Sequence, residues 1–589
     1  MPTAVAAAWL AAYLLLVTGP VALVLMVPPL PPSSSPAWDF ALALGYAALA
    51  MFGAQFALTA RFKRATAPFG IDIVYYLHRY LATAAFVLVL AHAAALTLAH
   101  PAPATLYDPR EASGAQLAGV AAVVLVALLI GSSLARRRVR LEYDLWRRVH
   151  AVLAAAVVVL AYLHVAGTAR YLDAPAKHAL WTSWSAAWLV LLAYVRVLRP
   201  WRLGRRPWRV ASVVRGRGRS WTLVLVPEGH AGFDFLPGQF AWLTLRASPF
   251  ALREHPFSIA SAPAPDGRIE FAIKELGDFT RTIGGIVPGE VAYVDAPYGN
   301  FSVDRHPQAT AYVFVAGGAG IVPVTSMLRA LAQRGERRPL LLVYGNRNLE
   351  GAIHRDELEA LATQLPLRIV HVLHEPPPDW AGERGWVTQA LLERHLPPQR
   401  AGVHVFVCGP GGMIAATEVA LGALGLPPRQ VHSEIFDLMQ DGATTRRDPM
   451  PLRARRARAL AWLTAAAIVG FCAAIALRRD RASAPPSPSP APRVLADPAL
   501  VARGGVLFAD LGCARCHSLA GQGSPASPLD DACRHRAPAE LRDFIVAAPS
   551  VESRLPPRAV AAKARYRALG RSDLEALGAA LCASAQTTR

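Results

Sequence analysis

The sequence predicts a multidomain membrane protein: a six-helix all-α bundle, an antiparallel β-barrel, an α/β nucleotide-type layer, one further membrane helix and a small all-α domain. Three observations carry that reading. Six apolar runs, each long enough to cross about 30 Å of hydrocarbon, fill the first 200 residues. Short alternating strands begin near residue 207 and give way near residue 308 to strand, glycine turn and helix. A last apolar run, a proline-rich stretch and a Cys-x-x-Cys-His sequence follow beyond residue 440. A hydrophobic share of 53% in 589 residues suits soluble units on a membrane base.

The six spans are expected at 4–27, 38–60, 71–99, 116–134, 146–167 and 179–198. The first lacks a basic leader and its apolar run is too long for a signal peptide, so it reads as a retained helix. Arg61-Phe62-Lys63-Arg64, the run from Arg136 to Arg140, and Arg199 to Arg209 all follow even-numbered spans, while the other connections are poor in Lys and Arg. Positive charge stays inside, so both ends of this unit are expected in the cytoplasm. The net charge of +20 follows from the same clusters. Topology and anionic membrane lipid account for it, and nucleic acid is not an expected partner.

Two of these helices carry equally spaced histidines, His78 with His92 and His150 with His164. Fourteen residues of α-helix rise about 21 Å and return to within roughly 40° of the same face. Helices three and five run parallel in the charge-derived topology, which sets His78 opposite His150 and His92 opposite His164. Each pair can clamp one haem iron from both sides, giving two b haems with the His78 pair on the cytoplasmic side. Arg79, Arg147 and Arg148 flank the inner pair, as propionate partners or as ordinary positive-inside residues.

In the barrel, Trp221-Thr-Leu-Val-Leu-Val226 alternates as a strand, and Pro237-Gly238 and Pro288-Gly289 mark turns. The stretch His255-Pro256-Phe257-Ser258-Ile-Ala-Ser261, then Gly277-Asp-Phe-Thr280, offers an aromatic, hydroxyl donors and small residues. Those suit a flat, polar-edged isoalloxazine and a close-lying pyrophosphate. Farther on, the strand 312–316 leads into Gly317-Gly318-Ala-Gly320-Ile-Val-Pro323 and a helix, and strands at 340–344, 367–373 and 403–407 continue a sheet before Cys408-Gly409-Pro410. Glycines at such a turn let a phosphate reach the unsatisfied amides of the helix N-terminus.

With these motifs in order, residues 40–440 resemble the ferric reductase and NADPH oxidase superfamily, a two-haem membrane domain fused to a ferredoxin-reductase-like FAD and NAD(P)H module. The resemblance implies flavin contacts at His255, Pro256, Phe257 and Ser258, with Ser261, Gly277 and Thr280 beside them. It implies a dinucleotide turn at Gly317, Gly318, Gly320 and Pro323, and a nicotinamide-side turn at Cys408 and Gly409. Glu434 and Phe436 resemble the family's acidic and aromatic pair near the flavin, although here the chain continues past them. Arg347 follows the second strand of this sheet, where it meets a 2′-phosphate or stacks on adenine, so NADH and NADPH both remain open.

Beyond residue 440 a basic stretch precedes the apolar run from Ala459 to Leu477, expected as a seventh span running outward. Arg478, Arg479 and Arg481 on its far side weaken the charge bias for that direction. A proline-rich tether from Ala484 to Pro492 leads to Cys513-Ala-Arg-Cys516-His517. Two thiols three apart attach a haem covalently while the next histidine reaches the iron, a c-type site. Residues 498–585 resemble small monohaem cytochromes c, and that resemblance places the domain in the periplasm of a bacterial inner membrane. No methionine lies in this domain, so His535, Lys563 or an open position is expected as the sixth ligand. Cys533 and Cys582 either pair or stay as thiols.

The expected domains are therefore 1–200 for the di-haem bundle, 207–305 for FAD, 308–440 for NAD(P), 459–477 for the seventh helix, 480–497 for the linker and 498–589 for the cytochrome c domain. The expected activity is transmembrane electron transfer from NAD(P)H through FAD and two b haems to a periplasmic c haem and an acceptor that is protein, ferric iron or O₂. The alternatives are a superoxide-generating oxidase, a ferric reductase or, in another class, a haem c redox sensor. Removing everything after Arg447 is expected to leave electron entry and both b haems in place.

Overall fold

The computed structural model describes residues 3–31, 35–62, 71–99, 107–136, 138–139, 141–168, 171–435, 451–483, 497–524, 527–530, 532, 538–552, 555 and 557–587. The expected site residues Phe436 and His535, as well as Cys533 and the proline-rich stretch, lie outside them. Among the described residues, seven helices are long and apolar enough to cross a membrane. Six come first: α1 (Thr3–Met26), α2 (Pro36–Thr59), α3 (Ile71–Ala99), α4 (Gly114–Ala135), α5 (Tyr143–Thr168) and α6 (Pro175–Ala193). Ser35 accepts from the Trp38 amide, and Ser113 closes a capping box with Gln116. Amide donors with no partner in the first turn of α2 and of α4 are thereby paired. The sixth span is longer than expected, since α6 continues through a π turn (Tyr194–Leu198) into a short helix (Arg199–Gly204). Its polar end is anchored where Arg199 donates to the Ala60 carbonyl at 3.1 Å and pairs with Asp295 at 2.5 Å.

Six strands, β1 (Trp208–Gly216), β2 (Ser220–Pro227), β3 (Phe240–Leu245), β4 (His255–Ser258), β5 (Ile269–Lys274) and β6 (Val291–Tyr298), pair antiparallel in the order β4-β3-β6-β1-β2-β5. A bridge between Ile259 and Phe271 joins the two edges, so the sheet closes on a core of Trp208, Leu225, Phe271 and Ile283. Next come β7 (Ala311–Gly317), α7 (Ile321–Gln333), β8 (Leu340–Asn346), β9 (Leu367–Leu373), β10 (Glu383–Arg384), β11 (Val403–Gly409), α8 (Gly411–Ala423) and β12 (Val431–Ile435). These strands are parallel in the order β10-β9-β8-β7-β11-β12. Every residue of β7 is buried, as a strand covered on both faces requires. Arg329 of α7 fastens this layer to the barrel, donating to Glu270 at 2.7 Å and to the Ala260 carbonyl at 3.1 Å.

The seventh membrane helix, α9 (Leu452–Ser483), starts earlier and ends later than its apolar run. Its first turn meets the nucleotide layer, where the Leu452 amide donates to Glu418 at 2.8 Å and Arg453 to the Ser433 carbonyl at 2.6 Å. It then packs on α1, α2 and α3, with Ile468, Cys472 and Ile475 in one core with Val21, Met51 and Ala85. At the other end of the bundle Arg479 is buried and pairs with Asp39 at 2.9 Å, while Asp39 also accepts from the Tyr171 hydroxyl at 2.9 Å. Arg479 further donates to the Pro31 carbonyl at 2.8 Å, and Lys177 caps carbonyls at the end of α1. Of the three arginines that weaken the charge bias for an outward course, Arg479 is therefore neutralised inside the protein. The same contacts correct the truncation expectation: a cut after Arg447 strips a packed helix from the bundle and leaves Asp39 without its cation.

In the last domain α10 (Pro498–Asp510) crosses α11 (Arg571–Thr587) at Gly504, where an added Cβ would lie 1.9 Å from the Ala576 carbonyl oxygen. Phe508, Leu519, Leu577 and Leu581 form its core. Cys582 is disulfide-bonded.

Candidate functional site

The two histidine pairs face each other between α3 and α5. The His78 and His150 ring centres are 6.4 Å apart, and so are those of His92 and His164. Two imidazoles on opposite sides of one metal, each with a bond of about 2 Å and about 1.1 Å more to the ring centre, stand about 6.2 Å apart. Both pairs fit a bis-histidine iron. His92 Nδ1 donates to the Ala41 carbonyl at 2.7 Å and His164 Nδ1 to the Ala115 carbonyl at 2.9 Å. Those bonds fix the tautomer and leave Nε2 free for a metal. Space for each ring comes from a glycine one turn on: a Cβ at Gly45 would lie 2.7 Å from His92 Nδ1, and one at Gly119 2.6 Å from His164 Nδ1. Sequence reasoning missed this pair, although the signal was present as an Ala-x-x-x-Gly in α2 and again in α4. The inner pair is held differently. His150 Nδ1 lies 3.5 Å from the Ser133 hydroxyl, and His78 Nδ1 is buried with no partner among the described residues.

The barrel docks on the end of the bundle that carries the inner pair. Arg61, just past α2, and Arg147, one turn before His150, both bind Glu254, the former at 2.6 Å. Burial alone would raise the Glu254 carboxyl, yet Arg61 and then Arg147 outweigh it and hold it down to about 2. Arg147 is thus engaged by the barrel rather than standing free for a propionate. Glu254→Ala leaves two buried guanidinium groups without their anion and is expected to destabilise the chain by about 3–5 kcal/mol, read as a lower urea midpoint for flavin release. Because this carboxyl is depressed, its contribution is complete above the ordinary value of 4.5 and is lost only as pH falls towards about 2. In wild type the module is therefore expected to stay docked at pH 4, as sedimentation would show.

The residue after Glu254 opens the flavin motif. His255 stacks on Phe279 with ring centres 3.8 Å apart, and Phe257 stands 6.1 Å from the same ring. Burial and then Arg147 push His255 down to about 4, and its Nε2 is buried without a partner among the described residues. An orphaned polar nitrogen beside aromatic faces fits an isoalloxazine edge. Pro256 and Ser258 sit in register with Trp242 and Phe240 of β3. Two expected contacts are occupied locally. Thr280 Oγ1 accepts from the amides of Leu276 and Gly277, and Ser261 Oγ from the Glu270 amide at 3.1 Å. These hydroxyls shape the turn around Gly277 and the barrel edge.

At the carboxyl ends of the parallel strands the sheet register sets Cys408 between Ala316 and Glu434. Gly318 has a left-handed φ of 53°, and Gly320 lies so near β11 that a Cβ would meet the Cys408 carbonyl oxygen at 2.1 Å. Gly317 and Gly409 approach backbone to backbone, 3.1 Å from an added Cβ, and Pro323 occupies the first turn of α7. Glu434 points at the barrel, with Oε1 3.0 Å from where a Cβ on Gly299 would be. Cys408, Glu434 and the glycine turn therefore converge with the barrel's last strand. Lys274, which the sequence did not single out, places its Nζ 3.8 Å from the Cβ position of Gly318, a cation beside a candidate phosphate turn. Arg347 is exposed and pairs with Glu375 at 2.8 Å.

In the last domain Cys513 and Cys516 are free thiols, and His517 Nδ1 donates to the Ser527 carbonyl at 3.1 Å. Gly523 lies so near that a Cβ would be 2.2 Å from the His517 carbonyl oxygen. Two unlinked thiols beside an oriented imidazole fit covalent haem attachment. Lys563 Nζ donates to the Phe544 carbonyl at 2.7 Å.

These features define a multi-pass membrane oxidoreductase that binds FAD and NAD(P)H. Comparisons agree: the ferric reductase like transmembrane component matches residues 44–161, the FAD-binding domain 222–307 and the oxidoreductase NAD-binding domain 314–419. Over 220 residues the chain is 35% identical to ferredoxin–NADP reductase B of Sorangium cellulosum, covering 36% of this chain and 88% of that protein. It is 32% identical over 224 residues to the reductase component of propane 2-monooxygenase of Rhodococcus jostii, covering 36% and 59%. It is 33% identical over 178 residues to NADH-cytochrome b5 reductase 1 of Laccaria bicolor, covering 29% and 57%. The chain thus spans less than two thirds of the latter two. Through this module it belongs to the ferredoxin–NADP reductase family, joined to a ferric reductase like membrane component in an NADPH oxidase-like architecture.

Proposed function

We propose that the chain carries electrons from NAD(P)H on the reductase side, through the helical bundle, to an acceptor on the opposite side. The observation that carries this reading is the pair of equal 6.4 Å histidine clamps, stacked one beyond the other from the docked barrel outward. His78 with His150 and His92 with His164 would each hold a b haem, and Cys513, Cys516 and His517 a covalent c haem. When bound, FAD supplies the change from a two-electron hydride donor to single electrons, and the haem irons supply one-electron carriers.

The chain's own residues do the rest. The glycine turn and Lys274 seat the dinucleotide phosphates, and Cys408 lines the nicotinamide side. Glu434 presents its carboxyl at the joint with the barrel, where it can take up or deliver a proton. The Arg61–Glu254–Arg147 cluster fixes the flavin motif one helical turn from His150, which keeps the first transfer short. Helix α9, starting at the reductase and ending at Asp39, takes the c domain to the far side, the periplasm in a bacterial inner membrane.

Haem content and reduction order test the reading. Pyridine haemochrome spectra of purified protein should give b and c haem at two to one, with one FAD per chain. On stopped-flow mixing with NAD(P)H, flavin should bleach before b haem and b haem before c haem. A one-to-one ratio, or c haem reduced first, would sink it.

A further inference from the structure

Three histidines gather away from all of these sites. His306 ends the turn that leads from the barrel to β7, His404 lies at the start of β11, and His432 at the start of β12. His404 Nδ1 and His432 Nε2 are 2.9 Å apart. The His306 ring centre is 3.9 Å from that of His432 and 4.5 Å from that of His404. One nitrogen from each ring lies within 4.8 Å of the other two, and all three residues are half-buried, so solvent reaches them. Phe406 closes the inner side, its ring centre 4.9 Å from that of His432. The cluster stands four residues, about 13 Å, back along β11 from Cys408, at the opposite ends of the strands from the nucleotide turn.

We infer that His306, His404 and His432 form a binding site for a divalent transition ion of the zinc class, which ties the barrel's exit to the last two strands of the nucleotide layer. A set of three imidazoles without a carboxylate favours such an ion over magnesium or calcium. A tetrahedral ion with bonds of about 2 Å needs ligand nitrogens about 3.3 Å apart. The His404–His432 edge, at 2.9 Å, has to open by about 0.4 Å to reach that spacing. The rings are now nearly parallel, within 30° of one another, so the His306 side chain must turn to put the ion in its plane. It lies at a turn, where only side-chain rotation is needed. The remaining position is left to water.

Full-length protein stripped with chelator and titrated with Zn(II), then with Co(II) as a coloured probe, tests the site. One Zn(II) per chain beyond the haem iron is expected, with a tetrahedral Co(II) spectrum displaced by Zn(II). His306→Gln and His404→Gln should each weaken Zn(II) binding at least about tenfold, with FAD content and NAD(P)H-driven flavin reduction unchanged. Because His306→Gln changes only a turn residue, it keeps the test open if His404→Gln fails to fold. Absence of Zn(II) binding in wild type, or wild-type affinity in His306→Gln, overturns the assignment.

Discussion

His164→Ala is expected to remove one of the two b haems and to stop electrons reaching the far side, while flavin reduction by NAD(P)H continues at the wild-type rate. Outer-pair geometry sets the size of the effect. His164 is oriented by a 2.9 Å bond to the Ala115 carbonyl, and His92 alone faces it at 6.4 Å. Changing groups that merely orient a metal ligand costs about 10–100-fold in metal affinity, and removing the ligand itself costs more. Gly119→Ala provides a graded companion, because its Cβ would sit 2.6 Å from His164 Nδ1 and displace the ring from its carbonyl. That variant should lose about 10–100-fold in haem affinity with the helix otherwise intact. Haemochrome content and NAD(P)H-driven c haem reduction measure both. If c haem reduction in His164→Ala ran at the normal rate, the route through this pair would be wrong.

How much of this was legible in the sequence depends on the range of the interaction. The fourteen-residue histidine spacing lies within single helices, so helical geometry puts each pair on one face and the charge-derived parallel topology predicts which rings meet. The glycine turn and the Cys408 turn were equally readable, since each is a local backbone requirement. Long-range polar choices were not. Nothing local distinguishes Arg147, which binds Glu254 across the domain junction, from Arg148, nor Arg479, buried on Asp39, from Arg478, which is exposed. Ser261 and Thr280 carry the right chemistry for a flavin, and their hydroxyls also accept from neighbouring amides within ten residues, a local role that the sequence did not show. The three-histidine cluster joins residues 28 to 126 positions apart, and the adjacency of β7, β11 and β12 brings them together.

Two truncations separate the structural role of α9 from the role of the domain it carries. Ending the chain after Arg447 is expected to destabilise the bundle, and ending it after Ser483 is not. The first cut removes Ile468, Cys472 and Ile475 from the core shared with α1, α2 and α3. It also strips Asp39, a carboxylate that is 2% exposed, of its ion pair with Arg479. Breaking a buried ion pair from one side costs about 3–5 kcal/mol, before the lost apolar contact is counted. The second cut preserves every one of these contacts and removes only residues from Ala484 onward. Detergent-solubilised Ser483-terminated protein should therefore keep both b haems and wild-type NAD(P)H-driven b haem reduction, and lose only transfer to an outer protein acceptor. The Arg447-terminated form should melt at a lower temperature and bind less b haem. Restoring Asp39 to neutrality in that form, as Asp39→Asn, should recover part of the lost stability, because the buried charge that has lost Arg479 is then gone. Equal melting of the two truncated forms would mean that α9 is a passive tether and that the Asp39–Arg479 pair holds nothing together.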